Sequence, residues 1–292
     1  MAGRCWRALI VVPVAALALV TSASAAPPDV AAMNLQLADV PGAKLASQRR
    51  GTEKGYLAAS YRVFTFAAPN GSARLYQVQS ETKLAPSVAV ASADVTSTEK
   101  FFRSTAGRKA FKAEVAKGLK VKATAVMVGK ARKVPGYDEG IEIPTSISVK
   151  GLRVYESLVY LRLDRVALLM IEGGLRPIGP AVTAKYTTAI AGHIGTQLAP
   201  TAVSPPTITG TAQQAQTLTA TAGTWTAPDA TFGYQWQRCD AAGANCVDVP
   251  GATTQTYAVT AADVGTTLHV LVTASNRFGS APAPSAQTAV VT

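Results

Sequence analysis

The sequence predicts two domains: an α+β domain, with an antiparallel sheet covered by helices, followed by an all-β sandwich. Three observations carry this reading. Helix-period and strand-period apolar patterns alternate through residues 33–200, whereas residues 207–292 hold only short runs rich in Thr, Val and Tyr, broken about every ten residues by turn residues. Between them the segment LAPTAVSPP, ending at Pro206, has no charge and three prolines that resist helix. Charge also changes there, with residues 26–204 at a net +11 and residues 205–292 at −2. The expected plan is a signal peptide (1–25), an α+β domain (26–200), a linker (201–206) and the β-sandwich (207–292).

The leader sets the compartment. Arg4 and Arg7 precede an uncharged run, ALIVVPVAALALV, which leads through TSASAA into Pro27 and Pro28. This is the pattern of a secretory signal peptide cleaved after Ala25. An uncleaved anchor is the alternative, but a spanning helix wants about 20 apolar residues, and this run is shorter and contains Pro13. Cys5 stands in the basic leader, away from any lipoprotein acylation point. The mature product is therefore expected to be exported, secreted or surface-associated, without a transmembrane segment.

In the first domain, YLAASYRVFTF (residues 56–66) alternates, as do residues 73–80, with Asn70-Gly71 between them as a hairpin signal. Asn70-Gly71-Ser72 also matches a glycosylation sequon, but a turn explains it better. Thr96 and Glu99 form a capping box, which predicts one helix running to about Leu119. Phe101, Phe111, Val115 and Leu119 would share its apolar side, and Lys100, Arg103, Lys109, Lys117 and Lys120 its solvent side. Strands are expected at 121–130, 140–149, 152–162 and 166–172, the last pair turning around Asp164. A helix from Pro180 to Leu198 closes the domain, with proline at its first position and Val182, Tyr186, Ala189, Ile190 and His193 as its apolar stripe.

This element order resembles the small extracytoplasmic domains of actinobacterial lipoproteins and kinase sensor regions, related in fold to the extrinsic subunit of photosystem II. The resemblance rests on the order of elements alone, so it assigns no functional residue.

In the second domain the runs are TLTATAG, FGYQWQRC, NCVDVP, QTYAVT, TLHVLVTASN and AQTAVVT. Leu268, Val270 and Val272 alternate with Thr267, His269 and Leu271, so the first set faces the core and His269 faces solvent. Trp236 and Tyr234 would fill the centre, and Asp263-Val264-Gly265 would turn the chain into the fifth strand.

With the leader removed, Cys239 and Cys246 are the only cysteines. Metal clasp, redox site and covalent staple are all conceivable. Zinc would need two further ligands, for which His269 is the only other soft candidate in this half, and redox pairs usually stand two residues apart. Outside the cytosol an even pair reads first as a disulfide, worth roughly 2.5 kcal/mol for so short a loop.

Residues 206–292, from TITGTAQQAQTLTATAGTW to ASNRFGS, resemble the immunoglobulin-like repeats of secreted and surface proteins from high-GC Gram-positive bacteria. The resemblance implies a spacer or adhesive module whose cysteine pair joins neighbouring strands. Two departures from antibody-type domains stand out. No cysteine pair links the second and sixth strands, and Thr267 occupies the place of a corner tyrosine.

Composition excludes much chemistry. The first domain has one histidine, no cysteine and no G-x-S-x-G elbow, and neither half has a histidine pair, P-loop or dinucleotide fingerprint. His193 on an apolar stripe reads as a partly buried core residue, and the carboxylates Asp138, Glu139 and Glu142 in PGYDEGIEIP read as a solvated loop. No catalytic residue, metal or cofactor is expected. The basic set Lys100, Arg103, Lys109, Lys117 and Lys120 is the candidate ligand-binding surface, for an anionic wall polymer or a phospholipid surface. Nucleic acid does not fit an exported chain whose lysines have no interleaved aromatics. The expected function is a non-enzymatic envelope-binding protein. Its rivals are a sensor domain binding a small apolar ligand and a secreted carboxylate-dependent hydrolase.

Overall fold

Strand-period patterning in the first half builds one antiparallel sheet, and helix-period patterning builds what covers it. The computed structural model describes residues 28–67 and 77–292. The leader, Cys5 and the Asn70-Gly71 turn therefore lie outside the described residues. Internal contacts divide the chain into two units, comprising Asp29–Ile194 and Gly195–Thr292.

The first unit runs α1 (Val30–Met33), β1 (Ala43–Gly51), β2 (Ala58–Phe66), β3 (Gln77–Leu84), α2 (Val88–Arg103), α3 (Thr105–Leu119), β4 (Val126–Val128), β5 (Arg132–Lys133), β6 (Glu139–Val149), β7 (Leu152–Leu163), β8 (Val166–Gly174) and α4 (Pro180–Leu198). The sheet order is β1-β2-β3-β8-β7-β6-β4, with β5 also pairing β6. Every pairing is antiparallel. Two-residue loops close the central hairpins. Lys150 and Gly151 both take positive φ between β6 and β7, as a type I′ turn requires. Asp164, at φ 54, starts the turn into β8, a conformation that aspartate tolerates.

Register sorts the side chains between two faces. Ile141, Ile143, Leu158 and Ile171 meet Phe102, Phe111 and Val115 of the helical pair. The opposite face buries Phe64, Val78, Leu84, Val159, Leu161, Leu168 and Met170. Asn34, fully buried just after α1, fastens that segment to the sheet by donating to the carbonyls of Ser60 and Ser80 (2.9 and 3.2 Å).

Three expectations are corrected, and one strand is new. The predicted single helix from Thr96 is two helices, and the first begins at Val88, capped by the Ser87 side chain. Thr96 binds Glu139 rather than capping. Residues 121–130 give a 3-10 turn and the short β4 rather than a long strand, because β4 is an edge strand that pairs only β6. Strand β1 was not legible: AKLASQRRG has no alternation, because eight of its nine residues are exposed.

The second unit contains β9 (Ala202–Ser204), β10 (Ile208–Thr209), β11 (Thr217–Ala220), β12 (Thr224–Trp225), β13 (Thr231–Cys239), β14 (Val247–Asp248), β15 (Thr256–Ala258), β16 (Thr267–Asn276) and β17 (Gly279–Pro284). Sheets β10-β11-β15 and β14-β13-β16-β17 share one core, in which Leu218 and Tyr257 from the first meet Trp236, Leu268, Val270 and Val272 from the second. Trp236 is fully buried, stacks on Tyr257 at 5.4 Å and donates its indole N–H to the Thr254 carbonyl.

Two expectations change here. The segment read as a linker contains β9, which pairs β12. The last strand is GSAPAP rather than AQTAVVT, although the tail still donates from Thr288 N and Val291 N to the carbonyls of Leu268 and Thr266.

Candidate functional site

The basic surface is organised by an elbow at Ser104. The Ser104 N–H closes α2 on the carbonyls of Lys100 and Phe101, while its hydroxyl accepts from Gly107 N at 2.8 Å and caps α3. A Cβ on residue 107 would stand 2.0 Å from the Phe101 carbonyl oxygen, so this elbow demands glycine. Arg108 donates to the carbonyls of Phe102 and Arg103, both at 2.8 Å, and so satisfies the end of α2.

Lys100, Arg103, Lys109, Lys117 and Lys120 are all exposed, but the structure distributes them over two helices and the residue that follows the second. Arg103 is held by Glu99 at 2.7 Å. Lys100, Lys109, Lys117 and Lys120 make no ion pair among the described residues. Lys120 takes a left-handed conformation, φ 53, where α3 ends. The predicted apolar side holds for Phe111 and Val115, whereas Phe102, not Phe101, is the deeply buried aromatic and Leu119 is exposed.

The carboxylates of PGYDEGIEIP do not converge. Asp138 accepts from Arg162 and from Asp164 N. Glu139 accepts from Arg162 Nε at 3.0 Å and from Ser92 of α2 at 2.5 Å. Three residues further along β6, Glu142 must face the other way. It is buried there and accepts from Arg132 Nη2 and Ser157 Oγ, each at 2.8 Å.

That opposite face also holds Glu172, which sequence reasoning missed. Glu172 is fully buried, and its Oε2 accepts from Thr183 Oγ1 of α4 at 2.6 Å. Its Oε1 has no hydrogen-bond partner among the described residues. Burial pushes its pKa up to about 7, Thr183 opposes this, and Glu142 adds to it. The available signal was an acid inside the apolar run VALLMIEGG.

His193 lies at the margin of α4, whose buried stripe is Thr183, Tyr186, Thr187, Ile190 and Ile194. Its Nε2 is 2.9 Å from Asp39 Oδ2. A depression lined by Tyr61, Gln79, Glu81, Leu169 and Ile171 has a volume of about 10 Å³, room for about one water.

In the second unit Cys239 and Cys246 form a disulfide. His269, expected to face solvent, is half-buried beside it, and burial pushes its pKa down. Asp263 takes over the role of a corner anchor. Its carboxylate is wholly buried and accepts from Arg238, Tyr257 and Thr260.

No helix among the described residues is long and apolar enough to cross a membrane. No family model matches the chain, and no curated protein does. Among solved structures, the chain is similar to the extracellular domain of PknH from Mycobacterium tuberculosis, with a TM-score of 0.40 at 10% identity over 57% of this chain and 96% of that one. It is also similar to domains A168–A170 of titin, with a TM-score of 0.22 at 10% identity over 86% of this chain and 99% of that one.

Proposed function

We propose that the chain is an exported, non-enzymatic envelope protein, whose first unit binds an anionic surface and whose second unit is an immunoglobulin-like spacer or adhesive module. The observation that carries this reading is the exposed set Lys100, Lys109, Lys117 and Lys120, without an ion pair among the described residues, on and after two helices whose other faces are buried. These ammonium groups can meet phosphate-bearing polymers or lipid headgroups without disturbing the core. Arg103 contributes less, because Glu99 already neutralises it. The divergent carboxylates weigh against a paired-carboxylate hydrolase, and the one-water depression weighs against an apolar ligand there.

The test uses the full exported chain with phosphatidylglycerol vesicles, phosphatidylcholine vesicles and purified wall fragments. Binding to an anionic target at low salt should fall steeply towards 0.15 M salt, where charges interact over only about 8 Å. Joint replacement of Lys100, Lys109 and Lys117 by Gln should weaken it without unfolding the protein. Binding that ignores salt and these replacements refutes the reading, as does no binding at low salt.

A further inference from the structure

Cys239 is buried and Cys246 half-buried, but neither belongs to the core cluster around Trp236. Cys239 ends β13 opposite Thr267, on the sheet face that carries Gln237 and His269. Trp236 and Val270, one step along, point to the other face and are fully buried. Consequently one ligand atom from each of Cys239, Cys246 and His269 lies within 4.8 Å of the other two. Cys246 and His269 are both partly exposed, so the group can be reached from solvent.

The loop between the cysteines is built independently of the sulfur–sulfur bond. The Asp240 carboxylate accepts from Ala242 N, Ala244 N and Asn245 Nδ2, at 2.9, 2.9 and 2.8 Å. Asp240 N also donates to the Ala244 carbonyl, and Gly243 N to that of Asp240. Opening the disulfide therefore leaves Cys246 returned to the side of Cys239. Around the group stand polar side chains of the kind that orient metal ligands. Gln287 Nε2 lies 3.2 Å from Cys239 Sγ and 3.7 Å from Cys246 Sγ. Gln237 Oε1 lies 2.5 Å from His269 Nε2, and its amide is anchored on Asp248 at 2.7 Å.

We propose that reduction of the Cys239–Cys246 disulfide turns this loop into a Cys2His site for a thiophilic d10 cation, Zn2+ foremost. The electrons come from two molecules of a low-molecular-weight thiol, which leave as their own disulfide while the protein gains two thiols. Binding then expels one proton from each thiol and forms two Zn–S bonds and one Zn–N bond, with water in the fourth position. Tetrahedral zinc, with bonds of about 2.3 Å to sulfur and 2.0 Å to nitrogen, requires the two sulfurs, bonded to each other in the oxidised chain, to part on reduction, a movement that side-chain rotation at the partly exposed Cys246 supplies while His269 turns to meet them. The oxidised loop excludes the ion because its sulfurs are bonded to each other, so thiol redox state gates the site.

In the experiment, the full oxidised chain is reduced with a phosphine, freed of reductant under anaerobic conditions and titrated with Co2+, then Zn2+. One ion per chain is expected, with sulfur-to-cobalt charge-transfer absorption that Zn2+ abolishes and that the oxidised protein lacks. His269→Ala, at a partly exposed side chain, should weaken Zn2+ binding about 10-fold or more. Near-ultraviolet circular dichroism from buried Trp236 should persist throughout, and its loss on reduction counts against the proposal. A reduced chain that binds no ion, or binds it equally well with His269→Ala, overturns it.

Discussion

The Arg238 guanidinium meets the Asp263 carboxylate through two nitrogens, Nη2 at 2.5 Å and Nε at 2.7 Å from Oδ1, and that carboxylate is wholly buried. The second oxygen, Oδ2, accepts from Tyr257 Oη, Thr260 N and Thr260 Oγ1 at 2.7–2.9 Å. One aspartate thus ties β13, β15 and the 3-10 turn before β16 together. Removing it leaves Arg238 unpaired, along with Tyr257 and Thr260 donors. Asp263→Ala should cost about 3–5 kcal/mol, measured by urea unfolding of the full chain with tryptophan fluorescence. Burial raises the Asp263 pKa, but the bonds from Thr260, Arg238 and Tyr257 outweigh it and hold the group below the usual range. Its contribution is therefore present above the ordinary aspartate pKa and lost as pH falls through the lower folded value. A loss of under 1 kcal/mol on substitution would show that the network is dispensable.

Glu172 predicts the opposite pH dependence. Its folded pKa of about 7 stands above the ordinary 4.5, so the folded state holds the proton more tightly than the unfolded chain. The stabilisation is complete below pH 4.5 and lost as pH rises through 7, a change of about 3 kcal/mol. The groups facing it are Thr183 from α4 and Glu142 from β6, the latter already paired with Arg132. Glu172→Gln should flatten the stability profile between pH 4.5 and 8 and raise stability at its alkaline end. Unchanged pH dependence in urea unfolding of the variant would refute this.

The elbow gives a steric prediction. Gly107→Ala places a methyl 2.0 Å from a backbone oxygen that cannot swing aside, so α2 and α3 must separate around Phe102 and Phe111, whose rings lie 5.2 Å apart. A loss of about 2–3 kcal/mol is expected. Ala at position 118, with open space around its Cβ, is the control and should be neutral or slightly stabilising.

The disulfide should appear by mass spectrometry of the unreduced exported chain as a bond between Cys239 and Cys246. Cys239→Ala should lower stability by roughly 2.5 kcal/mol without affecting binding to anionic surfaces. Free thiols in the exported form would contradict both the staple and the compartment reading.

Two independently folding domains would give two resistant fragments on limited proteolysis. Protease should spare residues 202–204, because Ser204 and Ala202 pair Thr224 and Trp225, and Thr201 exchanges bonds with Thr226. A C-terminal fragment starting at residue 199 should therefore be more stable than one starting at 207, by about 1 kcal/mol or more for the lost backbone bonds. Equal stability would mean that β9 adds nothing to its unit.

The amino-acid order by itself determined the elements whose period is set by one buried face. The hairpins β6–β7 and β7–β8, helix α4 from Pro180 to Leu198, and the alternation of Leu268, Val270 and Val272 lie where local pattern puts them. Proline at a helix start and a tight turn at Asp164 are local chemistry and were legible for that reason. Tertiary structure decided whatever depends on a partner distant in sequence. Strand β1 exists only because β2 offers its edge, and its own residues face solvent on both sides. Thr96 serves Glu139, 43 residues away, and the capping role passes to Ser87. Glu172 is buried because α4 closes over its face, and His269 meets the cysteines because β13 and β16 pair in one register. Periodicity states which face a side chain takes; only the pairing of strands and the seating of helices states what it meets there.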